Sequence, residues 1–168
     1  AATAANNVSR VASRDLADGI DALDLQRLSV EVGGQGHANI PSLLQPNQCT
    51  ALADMYASAD LFCSRVVMSR HGFGRGEYQY FKYPLPDLVG SLRRSLYPRL
   101  APIANRWNEL LSNEIRFPAG HAEFIARCHA AGQKRPTPLL LQYAADDYNC
   151  LHQDLYGEQV FPLQLAVL

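Results

Sequence analysis

A proline pair, Pro136 and Pro138, divides this sequence into two parts of different periodicity. Proline has no backbone N–H and fixes φ, so neither a helix interior nor a central strand runs easily through the pair. Ahead of the pair, apolar residues recur mainly at helical spacing, whereas short apolar runs typical of strands follow it. A helix-rich front followed by a β-rich back predicts an α+β fold.

The individual elements can be predicted from the same periodicity. Helices are expected at residues 14–28, from Pro46 onward, at 87–113 with a bend at Pro98 and Pro102, and at 119–131. A turn is expected at 33–36, an extended segment at 37–44, strands at 62–68 and 77–83, and core positions at Trp107, Leu110 and Leu111. Behind the proline pair, strands are expected at 139–143, 150–155 and 160–168, with a turn at 144–149.

Composition favours one globular domain over residues 1–168, with a mainly helical front (1–135) and the first strands of the core behind it (136–168). The 168 residues are 48% apolar and 18% charged, which is enough for a real core. The net charge of −1 predicts no strong overall attraction to phosphate, so any nucleic-acid contact needs a local basic patch.

Cellular location is predicted to be cytoplasmic. No apolar run approaches the roughly 20 residues of a membrane span, and the N-terminus lacks the features of a signal peptide. The four cysteines include no CxxC pair and are expected to be reduced.

The apolar run Val160–Leu168 has no polar terminator, and a strand ending there would leave an exposed edge. This run leads us to expect that the natural chain extends beyond Leu168. The sequence also lacks an initiator Met, so Ala1 is not expected to be the start of the gene product.

The motif His152-Gln153-Asp154 is the candidate metal site. On a strand, residues i and i+2 point to the same face, so His152 and Asp154 can converge on one ion. One imidazole and one carboxylate are two of the three ligands of a 2-His-1-carboxylate site, which suits Fe(II) and leaves positions open for a co-substrate and O2. Cys150 would share this face, so a zinc site is the alternative, although no motif supplies its fourth ligand.

The sequence around this motif resembles the double-stranded β-helix dioxygenases. It is similar in particular to a bacterial group described as oxygenases acting on damaged DNA, from about residue 14 to the end. The resemblance implies a helix-rich part packed on a jelly-roll core that is incomplete in this chain. It rests on PTPLLLQY (136–143), DYNCLHQDLYG (147–157), HGFGRGEYQYF (71–81), LYP (96–98) and ANRW (104–107).

This resemblance implies an oxidoreductase, a non-haem Fe(II)/2-oxoglutarate-dependent dioxygenase. Fe(II) would bind His152 and Asp154, 2-oxoglutarate and O2 would be consumed, and a C–H bond would be hydroxylated with release of succinate and CO2. On an N-methyl group of an alkylated DNA base, the hydroxylated product would lose formaldehyde, which is a DNA-repair reaction. A dioxygenase of a protein or of a small molecule would use the same iron site.

Tyr143 lies nine residues before His152. The alkylated-DNA repair dioxygenases, which are more distant relatives, place a tyrosine at this spacing, where it contacts 2-oxoglutarate. The resemblance therefore makes Tyr143 the candidate for co-substrate binding, and an ordinary half-buried strand tyrosine fits the position equally well.

The family's second iron histidine and its 2-oxoglutarate-binding arginine would come from later strands. Fourteen residues follow Asp154, and none is His or Arg. The favoured interpretation is an enzyme whose remaining ligands lie outside this chain. The other is a truncated, non-catalytic jelly-roll fragment that acts as a binding module through its unpaired edge.

The glycine-rich loop at 70–76 (RHGFGRG) is the candidate substrate-binding segment. It lacks the GK[ST] ending of a P-loop. Phe73 would stack on a base while Arg70 and Arg75 contact phosphate, and a solvated loop is the alternative. The arginines of the long helix, Arg93, Arg94, Arg99 and Arg106, are interpreted mainly as a solvated face.

Overall fold

The computed structural model describes residues 16–154 and 157–168, and these residues form a mixed α+β fold with small antiparallel sheets. Residues 16–21 are helical, and the further helices are α1 (Leu25–Gln35), α2 (Pro46–Asp54), α3 (Asp87–Leu110) and α4 (His121–Ala130). The strands are β1 (Phe62–Val67), β2 (Gly74–Arg75), β3 (Glu77–Phe81), β4 (Leu139–Gln142) and β5 (Tyr148–Asn149).

The main core lies between α3 and the larger sheet. Val89, Leu92 and Leu96 recur at helical spacing along α3, and all three are buried. They pack with Phe62 and Phe81, whose rings stack with their centroids 4.7 Å apart. Leu16, Ile20, Leu44 and Leu52 complete the cluster from the part of the chain ahead of β1.

The helix α3 runs through two prolines, Pro98 and Pro102. Both are exposed and lie four residues apart, so they occupy the solvent face. The carbonyls that lose a helical partner there can bind water instead, which explains why the helix continues.

A second cluster joins α3 to α4 and to the last described segment. The ring of Phe161 lies 4.9 Å from Phe117, 5.3 Å from Tyr97 and 5.7 Å from Phe124, measured between centroids. The backbone of Gln159 is held next to it, because its N–H donates to Gln133 Oε1 (2.8 Å) and its carbonyl accepts from Gln133 Nε2 (3.2 Å). The segment behind Gly157 is therefore fixed to the helical front.

The two sheets share one continuous stretch of chain, residues 74–81. Its C-terminal part, β3, pairs with β1 on one side and β4 on the other, in the order β1-β3-β4. Its N-terminal part, β2, pairs with β5, so Gly74 faces Asn149 and Arg75 faces Tyr148. Strands from both sides of the proline pair are thus joined by backbone hydrogen bonds.

Four extra residues lie between these two ladders. Glu77 pairs with Gln142, and Arg75 pairs with Tyr148. Between these two pairs the first chain segment moves by two residues and the second by six. The second segment therefore has four residues, 144–147, that have no partner in either ladder. Asp147 closes this loop, because its Oδ2 accepts from Ala144 N–H at 2.7 Å and its own N–H donates to Ala144 O at 3.1 Å.

Six of the predicted elements are confirmed, with bounds up to a few residues shorter. They are the helix from Pro46, the helices predicted at 87–113 and 119–131, and the strands predicted at 62–68, 77–83 and 139–143.

The single helix predicted at 14–28 is wrong over its described part. Residues 16–21 and α1 are separate helices, because Asp24 caps α1 by accepting from Arg27 N–H at 2.9 Å. The turn predicted at 33–36 is also wrong, since α1 continues to Gln35 and only Gly36 takes the left-handed conformation that ends it. Residues 37–44, predicted to be extended, form no strand.

The strands predicted at 150–155 and 160–168 are absent from the described residues of those segments, and Leu155 lies outside the description. The ladder of β5 ends at Cys150, whose N–H donates to Phe73 O (2.9 Å), and the partner chain then turns away at Gly72. The later segment packs Phe161 and Leu163 against helices instead of pairing with a strand. The jelly-roll core stays a prediction.

Two of the three predicted core residues at the end of the long helix are exposed. Leu110 is 73% exposed and Leu111 76% exposed, because α3 ends there and nothing described packs over them. Trp107 is partly buried. Within the described parts of the chain, no helix combines the length and hydrophobicity needed to cross a bilayer.

Gly74 should be the most substitution-sensitive residue of the glycine-rich loop. A Cβ at this position would lie 2.2 Å from the backbone oxygen of Tyr148, whereas a Cβ on Gly72 would meet nothing within 4 Å. Both residues have positive φ, a backbone conformation that residues with a Cβ rarely adopt. We expect Gly74→Ala to lower the free energy of unfolding more than Gly72→Ala, and to speed amide exchange at Cys150.

Urea unfolding and hydrogen exchange of the two variants provide the measurement. Equal losses of stability and unchanged exchange at Cys150 would contradict the assigned contact between β2 and β5.

Candidate functional site

The motif segment is positioned by the short ladder between β2 and β5. Tyr148 and Asn149 pair with the glycine-rich loop, and the hydrogen bond from Cys150 N–H to Phe73 O closes the ladder. The loop itself is anchored at Met68, which is fully buried and donates its N–H to Gly76 O at 3.0 Å. The candidate metal motif and the candidate substrate loop are therefore neighbours.

His152 and Asp154 point toward each other although the segment is not a strand. His152 Nε2 lies 3.7 Å from Asp154 Oδ1, too far apart for a hydrogen bond between them. A first-row metal ion binds such nitrogen and oxygen atoms at roughly 2.0–2.2 Å, so one ion can bind both atoms. The side chains are 48% and 44% exposed, which leaves room for further ligands.

The other ring nitrogen of His152 fixes the tautomer. Nδ1 lies 2.8 Å from the carbonyl oxygen of Cys150, and a carbonyl can only accept. In the neutral ring Nδ1 therefore carries the proton, and Nε2 keeps its lone pair for a metal. This arrangement is the usual outer support of a metal-binding histidine.

The second carboxylate oxygen of Asp154 also has a partner. Gln164 Nε2 donates to Asp154 Oδ2 at 3.3 Å. The sequence interpretation missed Gln164, although it is the single polar residue in the apolar run Val160–Leu168. That break in the run was the available signal.

No third protein ligand accompanies the pair within residues 16–154 and 157–168. These ranges contain no group of three His, Cys, Asp or Glu side chains that could hold a metal ion. The alternative Cys150 zinc site therefore receives no support from the described side chains.

Three of the other histidines, His37, His121 and His129, lie elsewhere. His37 and His129 are exposed, and His121 begins α4 with its ring 5.3 Å from that of Tyr97. Burial, followed by the nearby charges of Arg93 and Arg94, lowers the pKa of His121 to about 4. His121 is therefore a neutral packing residue at pH 7.

Tyr143 directly follows β4, and its ring covers Gly76. A Cβ on Gly76 would lie 2.7 Å from Tyr143 Cδ1, so only glycine leaves space for this ring. The side chain is 45% exposed, and its hydroxyl makes no hydrogen bond to any described residue. The ring is thus fixed while the hydroxyl can bind a ligand.

The substrate-loop candidates are all exposed. Phe73 is 45% exposed, and the ring of His71 stacks beside it with the centroids 5.4 Å apart. The sequence interpretation did not include His71. Arg70 and Arg75 form no ion pair with a described residue.

The arginines of α3 mostly have partners in the protein. Arg99 pairs with Asp21 and ties the first helical segment to α3. Arg93 donates to Tyr83 Oη at 3.2 Å and Arg94 to Ser91 Oγ at 3.1 Å. Arg106 is exposed. Arg106 fits the predicted solvated face, whereas Arg93 and Arg99 contact other parts of the fold.

An ion-pair network supports the sheet beside the site. Arg65 holds Glu77 with two nitrogens, and Tyr56 donates to the other oxygen of Glu77 at 2.9 Å. The Arg65 guanidinium lowers the pKa of Glu77, and burial together with the hydrogen bond to Glu77 raises the pKa of Tyr56 to about 12. Glu77 directly follows Gly76, so the network helps to fix the residue under Tyr143.

Comparison with known proteins places these residues in a family context. The model of an oxygenase family, described as catalysing oxidative methylation of damaged DNA, matches residues 76–168. No solved structure matches the chain significantly.

Two Mycobacterium tuberculosis proteins are similar to this chain. They are "Uncharacterized protein MT2286" of strain CDC 1551 / Oshkosh and "Uncharacterized protein Rv2227" of strain ATCC 25618 / H37Rv, each 48% identical over 87 residues. The match covers 52% of this chain and 37% of each relative, so the chain spans little more than a third of the length of these curated relatives.

Because the family match covers more than half of the chain and includes Tyr143, His152 and Asp154, this chain belongs to the family of oxygenases described as catalysing oxidative methylation of damaged DNA.

Proposed function

We propose that this chain contributes His152 and Asp154 to the active site of a non-haem Fe(II)/2-oxoglutarate-dependent dioxygenase that acts on alkylated DNA bases. The observation that carries the proposal is the 3.7 Å separation of His152 Nε2 and Asp154 Oδ1, with the histidine tautomer fixed by Cys150 O. The oxygenase family supports the class of enzyme.

The donor set fits Fe(II). A neutral imidazole nitrogen and one carboxylate oxygen belong to the facial site that non-haem iron oxygenases use, and both side chains are open to further ligands. We propose that the third protein ligand, a histidine, and the arginine for 2-oxoglutarate come from outside the described residues. The described ranges offer no third His, Cys, Asp or Glu beside the pair.

Tyr143 is proposed to bind 2-oxoglutarate through its hydroxyl. Its ring lies against Gly76, which limits the positions of the hydroxyl before any ligand arrives. Such preorganisation reduces the entropy lost on binding. A carboxylate of the co-substrate could accept this hydroxyl proton in a charge-assisted hydrogen bond.

The glycine-rich loop is proposed to bind the nucleic acid. Phe73 and His71 present stacked rings next to the motif segment, a suitable surface for an unpaired base. Arg70 and Arg75 are cations without a described acidic partner and can contact phosphate. Because the net charge of the chain is −1, such a local patch would have to supply the attraction to DNA.

The proposed reaction removes a methyl group in two balanced steps. Bound iron supplies the activation of O2 that a protein side chain cannot provide. N–CH3, O2 and 2-oxoglutarate give N–CH2OH, succinate and CO2, and N–CH2OH then breaks its C–N bond to release formaldehyde and the N–H base. The side chains of the chain hold the metal, orient the co-substrate and place the methyl group.

The other interpretations are less well supported. A dioxygenase of a protein or of a small molecule would share the iron site, but the stacked rings, and the arginines that have no acidic partner among the described residues, favour a nucleic acid. A non-catalytic binding module would not need the tautomer-fixing hydrogen bond of His152, and the family is one of oxygenases.

His152→Ala in the full-length protein should abolish Fe(II)-dependent formation of succinate and formaldehyde from a methylated oligonucleotide, because it removes a metal ligand. His37→Ala, an exposed histidine ahead of α2, is the matched control and should keep full turnover. Succinate is measured by mass spectrometry. Turnover that survives in His152→Ala would rule out the assigned metal site.

Tyr143→Phe should raise the KM for 2-oxoglutarate roughly 10-fold to 100-fold, since a hydrogen bond to a charged group contributes roughly 1.5–3 kcal/mol. Tyr148→Phe, another exposed tyrosine on the neighbouring strand, should leave this KM unchanged. Steady-state kinetics with varied 2-oxoglutarate decides between the two tyrosines. Equal KM values for Tyr143→Phe and the wild type would leave Tyr143 as a packing residue only.

Replacing both Arg70 and Arg75 by Gln should weaken binding of a single-stranded oligonucleotide and reduce its salt dependence. Each lost phosphate contact lowers the slope of log Kd against log salt by roughly 0.7 for a single strand, so the double variant should lose about 1.4. Fluorescence anisotropy at several salt concentrations measures the slope. Arg106→Gln, at an exposed position on α3, is the control, and the same loss of slope in that variant would refute a specific role for the loop.

A further inference from the structure

We infer that Gln164 is a positioning residue that orients the Asp154 carboxylate for the metal ion. The inference rests on the proposed function, because it concerns the same His152 and Asp154 pair. It adds a residue from a segment that follows the motif and is anchored separately from it.

The two oxygens of Asp154 have different partners. Oδ1 faces His152 Nε2 at 3.7 Å, and Oδ2 accepts from Gln164 Nε2 at 3.3 Å. A carboxylate rotates easily about its last torsion, and its two oxygens are otherwise equivalent. A donor that holds Oδ2 therefore favours one rotation, in which Oδ1 is turned toward the metal position.

Asp154 needs such support because its own backbone provides little. The ladder of β5 ends at Cys150, and residues 151–154 form no strand. The side chain is 44% exposed, so packing does not fix it either. The hydrogen bond from Gln164 is the side-chain contact that distinguishes the two carboxylate oxygens in the described structure.

Gln164 is itself held by anchors on the helical front. Phe161 lies among the rings of Tyr97, Phe117 and Phe124, and Leu163 packs against the same cluster. Gln133 binds both backbone groups of Gln159. The segment that carries Gln164 is thus anchored to the helical front, which limits the positions that its amide donor can take.

The surface position of Gln164 allows its effect on metal binding to be measured apart from any effect on stability. Gln164 is exposed, so water can replace its hydrogen bond at little cost to folding. Replacing Gln164 should therefore weaken metal binding and leave the stability of the fold unchanged. Outer hydrogen bonds to metal ligands change metal affinity by roughly 10-fold to 100-fold.

The test uses Mn(II) as a redox-inert probe for the Fe(II) site of the full-length protein, with free Mn(II) measured by electron paramagnetic resonance. Gln164→Met keeps the length of the side chain but removes the donor, and it should raise the Mn(II) Kd roughly 10-fold to 100-fold with an unchanged Tm. Gln26→Met makes the same chemical change at an exposed position of α1 and should leave the Kd unchanged.

A double variant separates positioning from a direct contact. If Gln164 acts through Asp154, adding Gln164→Met to Asp154→Ala should not weaken Mn(II) binding further. Wild-type affinity in Gln164→Met, or additive losses in the double variant, would overturn the inference while leaving the proposed function intact. Failure of the wild-type protein to bind Mn(II) would instead overturn the proposed metal site, and the inference with it.

Discussion

Backbone pairing along residues 74–81 holds the candidate site together. One continuous stretch of chain pairs with β4 through β3 and with β5 through β2, so it fixes both Tyr143 and the segment that leads to His152. Gly74 and Gly76 make this possible, because a Cβ on Gly74 would collide with the backbone oxygen of Tyr148 and a Cβ on Gly76 would collide with the ring of Tyr143. The positions of Tyr143 and of the segment that leads to His152 depend on this close approach.

The helical front supports the same site from another direction. The aromatic cluster around Phe124 holds the segment that carries Gln164, while the main core between α3 and the sheet holds β3. His152 and Asp154 thus lie between two anchored parts of the chain, although neither residue belongs to a strand or helix. Their exposure is compatible with a site to which a co-substrate and a base must gain access.

The sequence predicts the elements whose signal is local. The helices α3 and α4 and the strands β1, β3 and β4 have enough residues for their periodicity to be recognised. The proximity of His152 and Asp154 was predicted from a strand and is found without one, since the ladder stops at Cys150. Strands of two residues such as β2 and β5 have no measurable period, so their pairing could not be predicted.

Tertiary contacts account for the other differences. The apolar pattern of Val160–Leu168 fits a strand as well as a chain packed on helices, and the choice depends on the rings of Phe117 and Phe124 far away in sequence. Leu110 and Leu111 continue the apolar pattern of α3 beyond the point where anything described covers them. A role for Gln164 could not be predicted from the sequence, because it depends on the hydrogen bond of 3.3 Å to Asp154.

The excess residues 144–147 have a consequence for how relatives are recognised. They loop out between two ladders that are each fixed by their own pairing, so the loop can change in length without moving Tyr143 or His152. The nine-residue spacing between tyrosine and histidine is therefore a property of this loop and not of the site geometry. Sequence searches that require that spacing would overlook proteins with the same arrangement and a longer or shorter loop.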